Sequence, residues 1–290
     1  MKRRTLLAVL PALAATPDSQ LPPLNHFYAT VDAPTYAAIE ASSFLREQFA
    51  PFEQRTTVRN DSTYSGLYLY GTSVYFELFE AGKGERKTGD AGFALGLENS
   101  TGSGTLRAKW QKLRPSLTSM VTRQLDGQPI DWFLMTSFEE TRAVPAVEGL
   151  RVFAMQYAPG FVKRWNPASP NSILQRDILA AYCDRLKLTK LRQSSLLNDV
   201  DRIEISGPVA GHRLRAQQLE AAGWKVEYNA DSILCTGPNA TVQLRATPQI
   251  IGVTAIHFAL KKQPTPSTFT IGSTTLQLLP NRRAIWTLQP

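Results

Sequence analysis

An α+β fold built from repeated β-α-β-β-β units is what this sequence predicts, on three observations. Strand-like runs in which apolar and polar residues alternate recur along most of the chain. Amphipathic helical segments are few, and the clearest of them follow a strand. The order of one strand, one helix and further strands then returns later in the chain. Length and composition allow such a fold, because 290 residues with 43% hydrophobic and 19% charged side chains suit one large domain or two smaller ones. Disorder, collagen and coiled coil are excluded by the same values.

Residues 1–15 stand apart from this pattern. Lys2, Arg3 and Arg4 precede an apolar run over 6–13, and the small residues Ala12, Ala14 and Ala15 follow. This is the layout of a cleaved secretory signal, so the mature protein is expected to be exported, to the periplasm or outside the cell. The apolar run is shorter than the ~20 residues that span a bilayer, and no membrane association is expected after cleavage. Arg3-Arg4-Thr5-Leu6-Leu7 leaves a twin-arginine route open beside general export. Loss of the three basic residues lowers the formal charge from +8 to +5. The remaining charges are scattered, which argues against a nucleic-acid partner.

The mature chain opens with a strand at 24–31, and Asp32 and Pro34 then start a helix carrying Tyr36, Ile39 and Phe44. Strands are predicted at 54–58, 66–70 and 74–80, separated by the turn residues Asn60-Asp61 and Gly71-Thr72-Ser73. A glycine-bearing linker at 82–89 leads to a strand at 92–98, a helix near 105–113, and strands at 131–138 and 150–157. Pro, Asn and Ser are concentrated at 166–172, which predicts a boundary, and an amphipathic helix follows over 172–186. A third unit is expected from a strand at 202–206, a helix at 214–222 stopped by Gly223, and strands at 224–228, 232–236 and 241–246. Strands at 251–260, 269–271, 275–279 and 284–288 complete the chain without a clear helix, either as a degenerate fourth unit or as an unrelated α+β region.

Several residues within this frame carry a resemblance. Leu24-Asn25-His26 opens the first unit and Tyr75-Phe76-Glu77-Leu78-Phe79-Glu80 closes it. Gln156-Tyr157-Ala158-Pro159 and Leu219-Glu220-Ala221-Ala222-Gly223-Trp224 stand at later corners. With these, the chain resembles the glyoxalase/bleomycin-resistance/dioxygenase superfamily, also called vicinal oxygen chelate proteins, and above all its uncharacterised glyoxalase-like members. The resemblance implies paired modules over 22–165 whose mixed sheets curl into a cup. It implies a second, degenerate glyoxalase-like region over 172–290, and metal ligands drawn from the first and last strand of each module.

Side chains alternate across a strand, which gives a separate reading of the same residues. His26, Tyr28 and Thr30 share one face, opposite the apolar Phe27, Ala29 and Val31. Tyr64, Tyr68 and Tyr70 share a face of the third strand, and Tyr75, Glu77 and Phe79 a face of the fourth. A cup lined by tyrosines suits a planar small-molecule ligand, although tyrosine also serves simple sheet packing. His26 and Glu77 are the candidate metal ligands and catalytic groups, with Glu77 acting as ligand or base. A catalytic divalent site wants at least three protein ligands, and Phe93, Ala94 and Leu95 stand where the second module would supply one. Gln156 offers the one oxygen expected from the closing strand. A divalent metal and a metal-free site with a hydrogen-bonded His26 therefore remain alternatives.

The other candidates are weaker. His212 is expected in solvent before a helix, and His257 beside Ala255 and Ala259 without a visible partner. Cys183 and Cys235 read as small apolar residues or as a bridged pair in an oxidising compartment. No His-Glu-x-x-His, phosphate-binding loop or Gly-x-Ser-x-Gly elbow occurs. The expected function is binding of a small organic ligand in the cup, with metal-assisted chemistry on neighbouring oxygens as one outcome. A non-catalytic sequestering protein and a structural interaction module are the alternatives. The ligand and the oligomeric state are left open.

Overall fold

The computed structural model describes residues 21–99, 102–139, 150–249 and 252–288. The leader read at 1–15 lies outside the described residues. The chain runs through β1 (Leu24–Val31), α1 (Ala33–Ala41), a π-helical turn (Leu45–Phe49), β2 (Phe52–Val58), β3 (Thr63–Tyr70) and β4 (Tyr75–Glu80). It continues as β5 (Ala91–Gly96), α2 (Gly102–Trp110), β6 (Ser116–Leu125), β7 (Gln128–Phe138) and β8 (Leu150–Tyr157). Three helices follow, α3 (Pro159–Trp165), α4 (Gln175–Arg185) and α5 (Thr189–Ser194). Then come β9 (Leu197–Gly207), α6 (Val209–Ala221), β10 (Lys225–Tyr228), β11 (Ser232–Thr236) and β12 (Thr241–Ala246). The last strands are β13 (Gly252–Leu260), β14 (Ser267–Ile271), β15 (Thr274–Leu279) and β16 (Arg283–Thr287).

Local chemistry sets the helix ends. Asp32 caps α1 by accepting the Thr35 backbone N–H at 2.8 Å, with a proline in the first turn. Gly223, at φ 99°, turns the chain out of α6.

The strands form two eight-stranded mixed sheets, in the orders β2-β3-β4-β1-β5-β8-β7-β6 and β10-β11-β12-β9-β13-β16-β15-β14. β1 is parallel to β4, β5 to β8 and β9 to β12, whereas β13 is antiparallel to β16. The difference follows from the connection. A helix after β1, β5 and β9 carries the chain back to the strand's starting end, which parallel pairing requires. No helix follows β13, so the chain simply reverses. The first sheet curls until its edges touch at one corner: Arg59 bridges Arg123, and the Asn60 N–H donates to the Thr122 carbonyl at 3.2 Å.

β6 was not foreseen in the sequence, nor were α3 and α5. Ser116-Leu117-Thr118-Ser119 has no clean apolar alternation, and β6 is an edge strand that forms through its ladder with β7. The helix expected over 172–186 does form, and it turns its apolar face to the first sheet.

Two apolar clusters result. The larger lies between the sheets and is shared by both, with α1, α2 and α6 contributing: Phe76 approaches Phe258 at 5.9 Å and Trp286 at 6.1 Å between ring centroids. Polar stitches cross it. The Trp110 indole donates to the Gln218 carbonyl at 2.9 Å, and Arg215 donates to the Leu150 carbonyl at 2.9 Å. The smaller cluster sits on the other face of the first sheet, where α3 and α4 pack Phe161, Trp165, Leu179 and Tyr182 against Tyr70, Tyr75 and Trp132. Cys183 belongs to the smaller cluster and Cys235 to the larger, and both are buried free thiols.

Because Trp110 is fully buried between α2, α6 and both sheets, Trp110→Ala should cost about 3–5 kcal/mol. Urea denaturation followed by far-UV circular dichroism should show both sheets losing that stability in a single transition.

Candidate functional site

The expected face is assembled as the alternation predicts. In register, His26 pairs with Tyr75 and Tyr28 with Glu77, while β3 brings Tyr68 beside Glu77 and Tyr70 beside Tyr75. A bulge at Asn25 interrupts the pairing of β1 with β5, since Leu24 faces Leu95 and His26 faces Ala94. The extra residue lets Leu24 enter the inter-sheet core and leaves Asn25 beside His26. Gln156 departs from the sequence reading. Its Oε1 accepts the Ser103 N–H at the start of α2, so the closing strand β8 presents Phe153, Met155 and Tyr157 to the cup instead.

The cup has a filled end and an aromatic end. At the filled end His26 stacks on Tyr75 at 4.6 Å, and its Nδ1 lies 2.8 Å from Asn25 Oδ1. Asn25 donates to Gln175 Oε1 at 2.6 Å, the Tyr157 hydroxyl donates to the same oxygen at 3.1 Å, and the Gln175 N–H donates to Glu98 at 2.8 Å. Tyr182 of α4 enters above Tyr70 and takes a hydrogen bond from Arg123 at 2.9 Å. Arg55 lies over the Tyr68 ring at 3.9 Å and donates to Glu53, Thr57 and the Tyr70 hydroxyl. The chain itself thus occupies this half of the cup. Neither Gln175 nor Arg55 was singled out from the sequence, because long-range folding brings each to the cup.

At the aromatic end stand Glu77, Tyr28, Tyr64 and Phe79. Tyr28 and Phe79 lie close against the sheet because Gly92 and Gly66 have no side chains there; an added Cβ would come within 2.5 Å and 2.7 Å of the respective rings. Arg86 reaches over from the connection between β4 and β5, and Arg59 bounds the site from the end of β2, paired with Asp61 at 2.6 Å.

Burial dominates the electrostatics. It pushes the Glu77 carboxyl up to about 7, against the opposing charges of Arg55, Arg86 and Arg59 and a hydrogen bond from Tyr75. Burial, helped by the Arg59 charge, pushes His26 down to about 3, so its ring is neutral at pH 7. The tyrosine hydroxyls around Glu77 are likewise held protonated by burial.

The model described as "Family of unknown function (DUF5829)" matches residues 24–288. The chain belongs to this family. Curated proteins give no match. Among solved structures, a hypothetical protein from Staphylococcus aureus is similar at a TM-score of 0.51 and 9% identity, over 89% of this chain and 98% of that one. That likeness is one of fold. A 2,2',3-trihydroxybiphenyl 1,2-dioxygenase from dibenzofuran-degrading Sphingomonas wittichii strain RW1 gives a TM-score of 0.45 and 7% identity, over 89% and 86%.

Does the donor set fit the divalent metal that the superfamily resemblance implies? It does not. His26 and Glu77 sit on adjacent strands two positions apart in register, and His26 Nδ1 is already engaged by Asn25. The cup-facing positions of β5 are Gly92 and Ala94, and those of β8 are Phe153, Met155 and Tyr157. Among the described residues no group of three or more His, Cys, Asp or Glu could hold a metal ion. Two donors fall short of the three that a catalytic divalent site requires.

The remaining histidines differ from expectation. His212, expected in solvent, is buried with an unpartnered Nδ1, and burial lowers it to about 4. His257 has a partner: it lies 2.8 Å from Glu204 on the free face of the second sheet. Burial pushes the Glu204 carboxyl up, but hydrogen bonds from Arg202, Arg245 and His257 outweigh it and hold the group down to about 2. Arg185, at the end of α4, lies over the Trp165 ring at 4.4 Å.

These shifts set a pH dependence. Between about pH 5 and 6, unfolding lets His26 and His212 each bind a proton while Glu77 releases one, a net uptake of one that should cost about 1.4 kcal/mol per unit of acidification. Glu77→Gln removes the opposing release and should steepen the slope to about 2.7 kcal/mol per unit. Urea titrations at several pH values in that window would check both slopes.

Proposed function

We propose that this is an exported, metal-independent small-molecule-binding protein of vicinal-oxygen-chelate build, with its ligand seated at the Glu77 end of the first cup. The strand order supports the build: β1 to β4 and β5 to β8 read as two β-α-β-β-β modules joined through β1 and β5, and β9 to β12 repeats the order. Export rests on the basic, apolar and small-residue layout of 1–15. No helix among the described residues is long and apolar enough to cross a membrane.

One observation carries the binding reading. Glu77 is a buried carboxyl without a salt-bridging partner within 4 Å among the described residues, surrounded by tyrosine hydroxyls and aromatic faces, at the end of the cup that α3 and α4 leave uncovered. Buried polar groups of this kind orient ligands in otherwise apolar sites. A carboxyl poised near neutrality is also competent for general acid–base transfer, so the same residue is the one to test for turnover. A second reading, a structural or interaction module, is favoured by the filled end, where Tyr182 and Trp165 occupy the cup.

Screening of the mature protein by thermal shift and calorimetry should find a saturable small-molecule ligand whose affinity falls about ten-fold or more in Glu77→Gln. The purified protein should hold no stoichiometric divalent metal by elemental analysis. Metal bound near one per chain and lost in His26→Ala would overturn metal independence, and a ligand indifferent to Glu77→Gln would move the site elsewhere.

A further inference from the structure

The aromatic end of the cup has the shape of a box. Phe79 forms its floor, and Tyr28 and Tyr64 stand as walls, with ring centroids 5.7 and 5.6 Å from Phe79 and ring planes at 64° and 82° to it. One cation already sits inside. The Arg86 guanidinium lies 3.5 Å above the Phe79 centroid, 5.5 Å from that of Tyr64 and 5.8 Å from that of Tyr28. All three rings are therefore within the ~6 Å at which an aromatic face attracts a cation.

What holds Arg86 there is unusual for this protein. Arg55 pairs with Glu53, Arg59 with Asp61, Arg164 with Asp126 and Arg202 with Glu204. Among the described residues the Arg86 guanidinium has no hydrogen-bonded carboxylate or carbonyl and lies over ring faces, while its backbone carbonyl accepts the Gly82 N–H at 2.9 Å. Glu77 lies on the same face, next to Tyr28 in register and two positions before Phe79, and places a carboxyl beside the box. The walls and floor depend on Gly92 and Gly66, as the close approach of the rings to those positions requires.

Arg86 also belongs to a segment that can leave. Residues 81–90 connect β4 to β5 along the surface, and Gly82, Gly84 and Gly89 have positive φ. Gly82 and Gly84 have open space around them. The segment's backbone ties to β1 come at its two ends, from Ala81 to Val31 and from Gly89 and Asp90 to Thr30. Rotation at Gly82 and Gly84 would open the Gly82–Arg86 turn bond and withdraw Arg86 while leaving the sheet ladders in place.

The geometry points to an organic-cation site: a small ligand bearing a guanidinium or a methylated ammonium takes the seat that Arg86 fills in the free protein. The inference rests on the reading that the Glu77 end binds the ligand, and it names the ligand's class. Arg86 acts as a resident substitute that keeps the box closed and desolvated until the ligand displaces it. A planar anion pairing with Arg86 is the contrary outcome.

The test uses the full mature chain, with methylguanidinium and tetramethylammonium chlorides as probes and sodium chloride at matched ionic strength as control, read by calorimetry and tyrosine ring shifts in NMR. Arg86→Ala vacates the box and should bind the probes about ten-fold more tightly than the unaltered protein. Adding Tyr64→Ala should reverse that gain. Arg86→Gln serves as a second variant should Arg86→Ala fold poorly, with thermal melts confirming the fold of each. Absence of saturable probe binding in both Arg86 variants, or binding unaffected by Tyr64→Ala, overturns the inference. If instead an anionic or neutral ligand binds in a Glu77-dependent way, the cation class falls and the Glu77 site stands. If no ligand of any charge binds, both fall.

Discussion

The curl of the first sheet brings the backbone of Arg59 against that of Arg123, and nearly everything on its cup face follows from that contact. A flat sheet would leave His26 and Glu77 in water, with ordinary protonation behaviour. Because β2 and β6 meet at this corner, the strands between them bow inward; α3 and α4 then bury the tyrosines and the histidine at one end, while Arg86 and the rings of Tyr28, Tyr64 and Phe79 enclose the carboxyl at the other. The cost of moving charge out of water then keeps His26 neutral and allows Glu77 to carry a proton near neutrality. The arginines around the cup moderate that cost without cancelling it.

Much of this was legible in the sequence because the signals were local. Alternation placed His26 and Tyr28 on one face and Phe27 on the other, and it put Glu77 with Tyr75, since the period of two holds within any regular strand. Ser232–Thr236 and Thr241–Ala246 form strands at the boundaries read from their pattern. What was not legible is what arises between distant segments. Gln175 meets Asn25 across 150 residues, and α4 fills a cup whose strands begin as far back as Leu24. The bulge at Asn25 reverses the parity of Leu24, and the edge strand β6 lacks the apolar rhythm that marks the others. Gln156 was misplaced for a simpler reason: its neighbour Tyr157 holds the inward position, and two adjacent residues on a regular strand cannot both face the cup.

The second sheet treats the same architecture differently. It too has a bulge in its opening strand, where Asp201 is the extra residue between Val200 and Arg202 in the ladder with β13. Its free face carries Arg202, Glu204, Arg245 and His257 in a network of hydrogen-bonded ion pairs, partly open to water, where the first sheet has aromatic rings and a covering of helices. Hydration takes over the role that α3 and α4 perform on the other side. Hydrogen bonds from Arg202, Arg245 and His257 converge on the carboxylate at its centre, which stays ionised far below neutrality.

The absence of a helix between β13 and β14 has a consequence for how the molecule is made. The final three strands, β14 to β16, form a plain meander over short chain distances, and β16 then lies beside β13, which borders β9 on its other side. Such pairing is quick to form, because little chain must be closed before contacts appear. Yet the apolar side of β13 and β16, with Phe258 and Trp286, is covered by Phe49 and Phe76 from the opposite end of the chain. The earliest and latest strands to leave the ribosome therefore complete one another, and until the last has emerged the aromatic rings of the first wait uncovered.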